Sequence, residues 1–250
     1  MSAPLLIVGS YVSPYVRKVL VCLESKGLAY EIDPIVPFFG NDDFARLSPL
    51  RQVPVLVDGD LVLNDSTVIC QYLEERYPTP ALYPSDLGQR AQARWLEEFA
   101  DTRMGQVIIW QLFNQLVIRR AVWGKEPDQA LLARTYEQDL PAIFDYLEGQ
   151  LPESGWLFGA PSMAEISLAC FIRNAQFARY QLDAARWPRL AGSMARTLEL
   201  PAFARLTAFE LICTRTPIDQ QREVLRQAGA PISSRSFGRA EPVPGVMGRD

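Results

Sequence analysis

The chain has 250 residues, of which 48% are hydrophobic and 22% charged, and its formal net charge is −4. This is the composition of a globular protein, and the negative balance excludes a broad basic surface for nucleic acid. No apolar run is long enough to span a bilayer, and the N-terminus lacks the basic region of a secretory signal. We therefore expect a globular cytoplasmic protein with neither a nucleic acid nor a membrane as partner.

The sequence contains no histidine. A Ser-His-Asp or Cys-His relay and a histidine metal site are therefore excluded. The cysteines Cys22, Cys70, Cys170 and Cys213 form no C-x-x-C pair, which argues against a zinc site and a dithiol redox motif. Because each lies in an apolar helical pattern, they are predicted to be buried free thiols in a reducing compartment, and no metal is expected.

The first part of the chain alternates strand and helix patterns. Its predicted elements are a strand at 4–9, a helix at 14–27, a strand at 30–36, a short helix at 42–47, strands at 53–57 and 61–63, and a helix at about 64–77. The β-α-β start favours a parallel pair of strands. Residues 1–77 are therefore predicted to form an α/β domain of order βαβαββα.

The rest of the chain is almost wholly helical in pattern. Three prolines in residues 78–87 indicate a linker, and an all-α domain is predicted at 88–229. Ser162 and Glu165 form a capping box that begins one of its helices and is structural. Residues 230–250 are rich in Gly, Pro, Ser and Arg with little to bury, so they are predicted to form an extended or mobile tail.

Ser13 lies where the first strand pattern gives way to the first helix pattern. Helix N-termini expose free N–H groups and partial positive charge, so they stabilise anions, including thiolates. A serine hydroxyl placed there can also donate a hydrogen bond to such a thiolate. The alternative is that Ser13 is only the N-cap, with Pro14 at the first helical position, and the local sequence alone favours this simpler role.

Pro54 and the pair Asp65-Ser66 are two further candidates. A proline entering an apolar strand cannot donate to the sheet, and a cis bond would turn the backbone of Val53 outward toward a peptide-like ligand. At the next helix start, Ser66 and the free N–H groups could hold a carboxylate, while Asp65 could pair with an ammonium group. An ordinary trans proline and simple helix capping are the alternatives.

As a set, these motifs resemble those of the soluble glutathione transferase superfamily over about residues 4–213. The similar segments are the serine-type turn Ser13-Pro14-Tyr15-x-Arg17 of the bacterial theta- and zeta-like classes, the loop Gln52-Val53-Pro54, the pair Asp65-Ser66, and the capping box Gly159-x-x-Ser162-x-Ala164-Glu165. The resemblance implies an α/β plus all-α fold, in which a thioredoxin-like domain precedes a helical bundle. It also implies glutathione as co-substrate and no metal.

The resemblance implies a role for each matched residue. Ser13 Oγ would donate to the glutathione sulfur and favour the thiolate. Gln52 would lie near the glycyl end of glutathione. Val53 would pair through its main-chain groups with the cysteinyl backbone, and Pro54 would hold that geometry. Asp65 and Ser66 would bind the γ-glutamyl ammonium and carboxylate. The family has Glu or Gln where this chain has Asp65, so the shorter Asp65 side chain must still reach the γ-glutamyl ammonium group.

The second substrate and the partner are also implied. Aromatic and methionine residues of the helical part are mostly core by default. Met104, Trp110 and Phe113 are nevertheless candidates for the pocket of a small hydrophobic substrate. The resemblance implies a homodimer, with the helices at about 64–77 and 88–120 facing the partner.

The predicted function is conjugation of the glutathione thiolate to a small hydrophobic electrophile in detoxification, with glutathione-dependent peroxidase or reductase activity as variants. The alternative is a non-catalytic regulator of the stringent-starvation type, a class that often loses the serine, the Gln-Val-Pro loop or the acid-Ser pair. A glutaredoxin-like thiol reductase is disfavoured, because Ser13 stands where a nucleophilic cysteine would be needed.

Overall fold

The computed structural model describes residues 4–244, which form two compact units. One contains the N-terminal residues up to Pro80 together with the C-terminal residues from Pro201, and the other is Ala81–Leu200. This division differs from the predicted boundary, which placed residues 201–229 in the helical domain. Helical periodicity identifies these residues as helices but does not say which surface they pack against.

The first unit is built on a four-stranded sheet of order β2-β1-β3-β4. β1 (Leu5–Val8) pairs parallel with β2 (Tyr30–Asp33) and antiparallel with β3 (Val55–Asp58), which pairs antiparallel with β4 (Leu61–Asn64). The helices of this unit are α1 (Pro14–Ser25), α2 (Asp42–Leu47), α3 (Ser66–Arg76), α10 (Pro201–Arg215) and α11 (Ile218–Gln227). The predicted βαβαββα order is confirmed.

Prolines set two strand boundaries more tightly than the apolar pattern suggested. β2 ends at Asp33 rather than at residue 36, because Pro34 follows and cannot donate to a neighbouring strand. β3 begins at Val55 for the same reason, since Pro54 precedes it. The hairpin between β3 and β4 has a two-residue turn, and Gly59 adopts the positive φ of 61° that this turn requires.

The apolar stripe of α1 is buried as its spacing predicts, because Val16, Val19, Leu20 and Leu23 are all inaccessible to solvent. The opposite side of the sheet has its own core cluster, which consists of Val8, Ile35, Phe44, Val55 and Phe237. Phe237 comes from the C-terminal tail, where the composition suggested that there was little to bury. The cluster therefore joins the first strand to one of the last described residues.

The tail is extended and held along the edge of the sheet over its described part, residues 230–244. Ile32 of β2 donates its N–H to Pro231 O at 2.8 Å, and its carbonyl accepts from Ser233 N at 2.9 Å. Further along, Phe237 O accepts from Asn41 N at 2.8 Å. These backbone bonds cover the free edge of β2. The rest of the predicted tail, residues 245–250, lies outside the described residues.

A buried carboxylate fastens the tail to the sheet. Asp33 is fully buried at the end of β2, accepts from Phe237 N at 2.6 Å and forms an ion pair with Arg222 of α11. The Arg222 guanidinium also donates to the carbonyls of Ser233 and Arg235. Burial raises the pKa of Asp33, while these donors act in the opposite direction. Strand, helix and tail therefore share one polar network beneath the surface.

The second unit is all helical. Its segments are α4 (Leu87–Phe99), a π-type stretch (Ala100–Ile118), α5 (Arg119–Trp123), α6 (Gln129–Arg134), a second π-type stretch (Thr135–Asp139), α7 (Leu140–Gln150), α8 (Met163–Phe177) and α9 (Pro188–Leu198). The predicted capping box is present at the start of α8, and Glu165 also accepts from Leu157 N at 2.7 Å. Among the described helices, none combines the length and apolar character needed to cross a membrane.

Candidate active site

The strand register brings the three candidate segments to one end of the sheet. Val8, the last residue of β1, pairs with Val55, the first of β3, and Val55 pairs with Asn64, the last of β4. The turn leading to Ser13, the Val53-Pro54 loop and the Asp65-Ser66 helix start therefore all adjoin the same end of the sheet.

Gly9 shows how closely the first two of these segments approach. A Cβ built on Gly9 would lie 2.5 Å from Val16 Cγ2 and 3.0 Å from Val53 Cβ, and the residue has a φ of 146°. No larger side chain fits between the start of α1 and the loop before β3. The glycine thus allows the helix that begins after Ser13 to pack directly on the loop that contains Val53.

Ser13 is the N-cap of α1 and is half-buried. Its Oγ accepts a hydrogen bond from Val16 N at 3.4 Å, and Pro14 occupies the first helical turn, as the sequence predicts. A serine hydroxyl has two lone pairs and one proton, so accepting from the helix leaves the O–H able to donate elsewhere. Capping and donation to an anion are therefore compatible in one side chain.

The Gln52-Val53-Pro54 segment is held by hydrogen bonds to Ser48, a residue that the sequence analysis did not single out. The buried Ser48 Oγ accepts from Gln52 N and donates to Gln52 O, both at 2.9 Å. The Val53–Pro54 peptide bond is cis, the geometry that the resemblance implies. The Gln52 side chain is exposed, whereas Val53 packs partly against the core cluster that contains Phe237.

Asp65 and Ser66 form the N-terminus of α3. Asp65 Oδ1 accepts from Thr67 N at 2.9 Å and Val68 N at 3.1 Å, so this residue is the N-cap, and Ser66 is buried. Asp65 has a φ of 75°, a strained conformation for a residue with a side chain and one that is concentrated at functional sites. Lys18 of α1, also missed as a candidate, donates to Thr67 Oγ1 at 2.8 Å and links the two helix starts.

The protein's own thiols are poorly suited to act as nucleophiles. All four cysteines are free and buried, as predicted. Burial raises the pKa of the Cys213 thiol to about 12, and hydrogen bonds with Ser10 and Tyr11 only partly oppose this. The burial of all four thiols therefore favours a thiolate that arrives with a ligand at this end of the sheet.

The three residues predicted to line the hydrophobic substrate pocket lie on the long π-type helical stretch. Met104 is fully buried and Phe113 nearly so, which matches the core role that aromatic and methionine residues have by default, while Trp110 is half-buried. A cavity of about 710 Å³ in the helical unit is lined instead by residues of α8, α9 and their connection, including Ile172, Arg179 and Met194. The pocket role of the three residues stays a prediction.

Residues 7–81 match the family described as "Glutathione S-transferase, N-terminal domain", and residues 120–195 match "Glutathione S-transferase, C-terminal domain". The chain is 33% identical over 162 residues to glutathione S-transferase 3 of Zea mays, covering 63% of this chain and 71% of that one. It is 29% identical over 209 residues to a probable maleylacetoacetate isomerase of Vibrio cholerae, covering 80% and 94%. A solved glutathione S-transferase of Rhodospirillum rubrum superposes with a TM-score of 0.74 at 28% identity, covering 81% and 91%.

The two family matches together cover more than half of the chain, and they coincide with the sheet and the helical unit described above. The chain belongs to the glutathione S-transferase family, and it is an enzyme of that family. Glutathione is the substrate that defines the family, which agrees with the prediction made from the four motifs.

Proposed function

We propose that this enzyme binds glutathione at the end of the sheet where the Ser13 turn, the Val53-Pro54 loop and the start of α3 lie. It would transfer the glutathione thiolate to a small hydrophobic electrophile in detoxification. The observation that carries the proposal is the Val8–Val55–Asn64 register, since it gathers a helix N-terminus, the Val53-Pro54 segment with its cis bond and a second helix N-terminus. Each of these matches one part of a γ-glutamyl-cysteinyl-glycine ligand.

The γ-glutamyl carboxylate would be held by the N-terminus of α3. Ser66 contributes its hydroxyl there, and the partial positive charge of the helix N-terminus favours an anion even though Asp65 accepts from the N–H groups of Thr67 and Val68. Asp65 is exposed beside them, so its carboxylate can meet the γ-glutamyl ammonium group. The shorter Asp65 side chain reaches less far than the Glu of the family motif, and its position as N-cap keeps the carboxylate directly at the helix end.

The cysteinyl part of glutathione would lie along Val53, whose main-chain N–H and C=O groups pair with it as a neighbouring strand would. Pro54 sets the direction of that backbone, and Ser48 keeps Gln52 in place for the glycyl end. The sulfur then ends at the start of α1, opposite Ser13.

Ser13 would promote the reaction by stabilising the thiolate form of glutathione. A free thiol has a pKa of about 8.5, and only the thiolate attacks an electrophile. Each unit by which the site lowers this pKa corresponds to about 1.4 kcal/mol of preference for the thiolate. The Ser13 O–H and the partial positive charge of the α1 N-terminus both act in this direction, and no histidine is needed.

A second candidate reaction is glutathione-dependent isomerisation, which is favoured by the 29% identity to the probable maleylacetoacetate isomerase of Vibrio cholerae over 209 residues. In such a reaction the thiolate adds to a conjugated double bond, the new single bond rotates, and glutathione is expelled unchanged. The residues proposed above would serve both reactions, because each begins with the same thiolate.

The function is tested by calorimetric titration with glutathione, followed by turnover with electrophiles, peroxides and a cis-conjugated dicarboxylic acid. Conjugation consumes one glutathione for each product, whereas isomerisation proceeds with glutathione at a small fraction of the substrate. No binding at millimolar glutathione would rule out this proposal and favour a non-catalytic role of the stringent-starvation type.

Replacing Ser66 by Ala tests the γ-glutamyl end of the site. We expect the dissociation constant for glutathione to rise about tenfold, because a hydrogen bond to a charged group contributes about 1.5 kcal/mol or more. The turnover rate at saturating glutathione should change little, since the sulfur is held elsewhere. Ser25→Ala at the opposite end of α1 is the matched control, and an affinity for S66A as high as that of S25A would place the carboxylate elsewhere.

We also propose that the enzyme is a homodimer, because part of the sheet unit exposes apolar side chains that a single chain leaves uncovered. Leu61 and Val62 of β4 and Val68 of α3 expose 38%, 38% and 47% of their surface. A partner packed on β4 and α3 would remove apolar surface of these side chains from water. The proposed cytoplasmic location suits the four free cysteines, which stay reduced there.

Replacing Val68 by Glu should disrupt this dimer, because the charge would be desolvated in the interface. Light scattering after size exclusion should give twice the chain mass of 28.1 kDa for the wild type and a shift toward the single-chain mass for V68E. The control is Ala184→Glu, an exposed position in the helical unit that should remain dimeric. A wild type that elutes as a single chain at micromolar concentration would contradict the proposal.

A further inference from the structure

A buried ion pair lies directly behind the turn that presents Ser13. Arg17 of α1 is inaccessible to solvent and pairs through its Nε with Glu210 of α10, which is 2% exposed. The same guanidinium donates to Tyr11 O at 3.3 Å and to Val12 O at 3.4 Å. Both carbonyls belong to the two residues that immediately precede Ser13.

The rest of the turn is held in the same way. Ser13 N donates to Ser10 O at 3.0 Å, and Val12 N reaches Ser10 Oγ at 3.4 Å. The ring of Tyr11 packs against Phe209 of α10, with 5.2 Å between the ring centroids. The turn therefore rests on α10, a helix nearly two hundred residues further along the chain.

Burying two charges costs free energy that their mutual attraction offsets only when the geometry is good and the remaining donors are satisfied. Arg17 meets this condition because its planar fork contacts a carboxylate and two carbonyls at once, which a lysine ammonium on a flexible stem does not do in the same arrangement. The Arg17 guanidinium thus holds the backbone carbonyls of Tyr11 and Val12, the two residues before Ser13.

We propose that Arg17 and Glu210 are positioning residues for the Ser13 hydroxyl: Glu210 orients the guanidinium, and the guanidinium holds the Tyr11 and Val12 carbonyls so that Ser13 faces the glutathione sulfur. This inference rests on the proposed function. Neither residue contacts the sulfur, and both act through the backbone of the turn.

Two ionisable groups close to the Arg17–Glu210 pair, the Cys213 thiol and the Tyr11 phenol, add no charge to it. Cys213 of α10 faces it, and burial raises the pKa of this thiol to about 12, so the group is neutral. Burial also raises the pKa of the Tyr11 phenol in the turn, which is neutral as well. Removing one member of the pair therefore leaves one uncompensated charge, whereas a double substitution leaves none.

The decisive variant is Arg17→Lys, which keeps the positive charge beside Glu210 but loses the fork to the carbonyls. We expect kcat/KM to fall about tenfold through kcat, because small misplacements of a catalytic group are costly. The KM for glutathione should stay within about twofold, since the binding residues lie elsewhere. The pH profile of kcat/KM for the electrophile, measured at saturating glutathione, should shift upward, because a displaced Ser13 stabilises the bound thiolate less.

Arg205→Lys is the matched control, because Arg205 also joins α10 to α1, but it is exposed and its partner Glu24 lies at the C-terminal end of α1, opposite the end that begins after Ser13. We expect R205K to match the wild type in rate and pH profile. Equal losses in R17K and R205K would show that docking of α10, rather than positioning of Ser13, is responsible, and would overturn the inference.

The charge-neutral double variant R17M/E210Q addresses the case in which R17K is too unstable to assay. We expect it to fold, because no buried charge remains unpaired, and to show the same kcat loss and pH shift. Full activity in R17M/E210Q, or an unchanged pH profile in a folded R17K, would overturn the inference while leaving the proposed function in place. A wild type without glutathione turnover would overturn both.

Discussion

Replacing Ser13 by Ala should lower kcat/KM for thiol transfer about 10- to 100-fold at pH 7, because the site loses a hydrogen bond to the thiolate. The pKa of the bound glutathione thiol should rise toward that of the free thiol, about 8.5. The deficit should therefore shrink as the pH is raised through that value, because the thiol then ionises without help. Rate measurements from pH 6 to 10 at saturating glutathione check this result.

Two further substitutions separate the proposed catalytic role of Ser13 from helix capping. Ser13→Thr keeps both the acceptor and the donor and should retain most of the activity. Ser13→Asp keeps the capping acceptor but has no proton to donate at pH 7 and places a negative charge beside the thiolate, so it should be at least as impaired as S13A. If S13D were as active as the wild type, Ser13 would be a cap alone.

Replacing Phe237 by Ala should destabilise the protein by about 3–5 kcal/mol, the usual loss for a buried phenylalanine in a packed core. Phe237 is fully buried between α2 and the sheet, in contact with the cluster that contains Phe44 and Val55. Because Val53 packs against the same cluster, glutathione binding should weaken as well. Denaturant unfolding and calorimetric titration measure the two effects.

Val243→Ala is the control for the tail, since this half-buried residue is held mainly by its N–H bond to Phe38 O. We expect a loss of about 0.5 kcal/mol, because substitutions away from the core have small effects. Phe237→Leu should lie in between, since it leaves a smaller cavity. A stability of F237A within 1 kcal/mol of the wild type, by the usual mutational scale, would contradict the burial of the tail.

The sequence predicts the local features of this fold well, because they depend on short-range spacing. The apolar stripe of α1, the two-residue hairpin and the capping box at Ser162 all follow from residues a few positions apart. The candidate site could be proposed from sequence because its residues lie at the end of a strand or the start of a helix, and proline, serine and aspartate mark such positions.

The features that the sequence does not predict depend on contacts between distant segments. Arg17 and Lys18 lie on a helix for which one buried face was expected, yet both are buried, because α10 and α3 cover them. The positive φ of Asp65 cannot be predicted from the residue type, because aspartate is also common at N-caps with ordinary backbone angles. Phe237 lies in a segment of low hydrophobicity, and its burial depends on packing against distant residues such as Phe44 and Val55.

The long reach of the tail has a consequence for synthesis. Asp33 and Phe237, which share a hydrogen bond, are separated by 204 residues. At a typical elongation rate, the ribosome takes roughly 10–40 s to add that many residues. During this time a nascent chain has its sheet segments but lacks both Phe237, which completes their core cluster, and the extended tail segment that covers the edge of β2. The sheet unit can therefore complete its packing only after the residues around Phe237 have been made, long after its four strands.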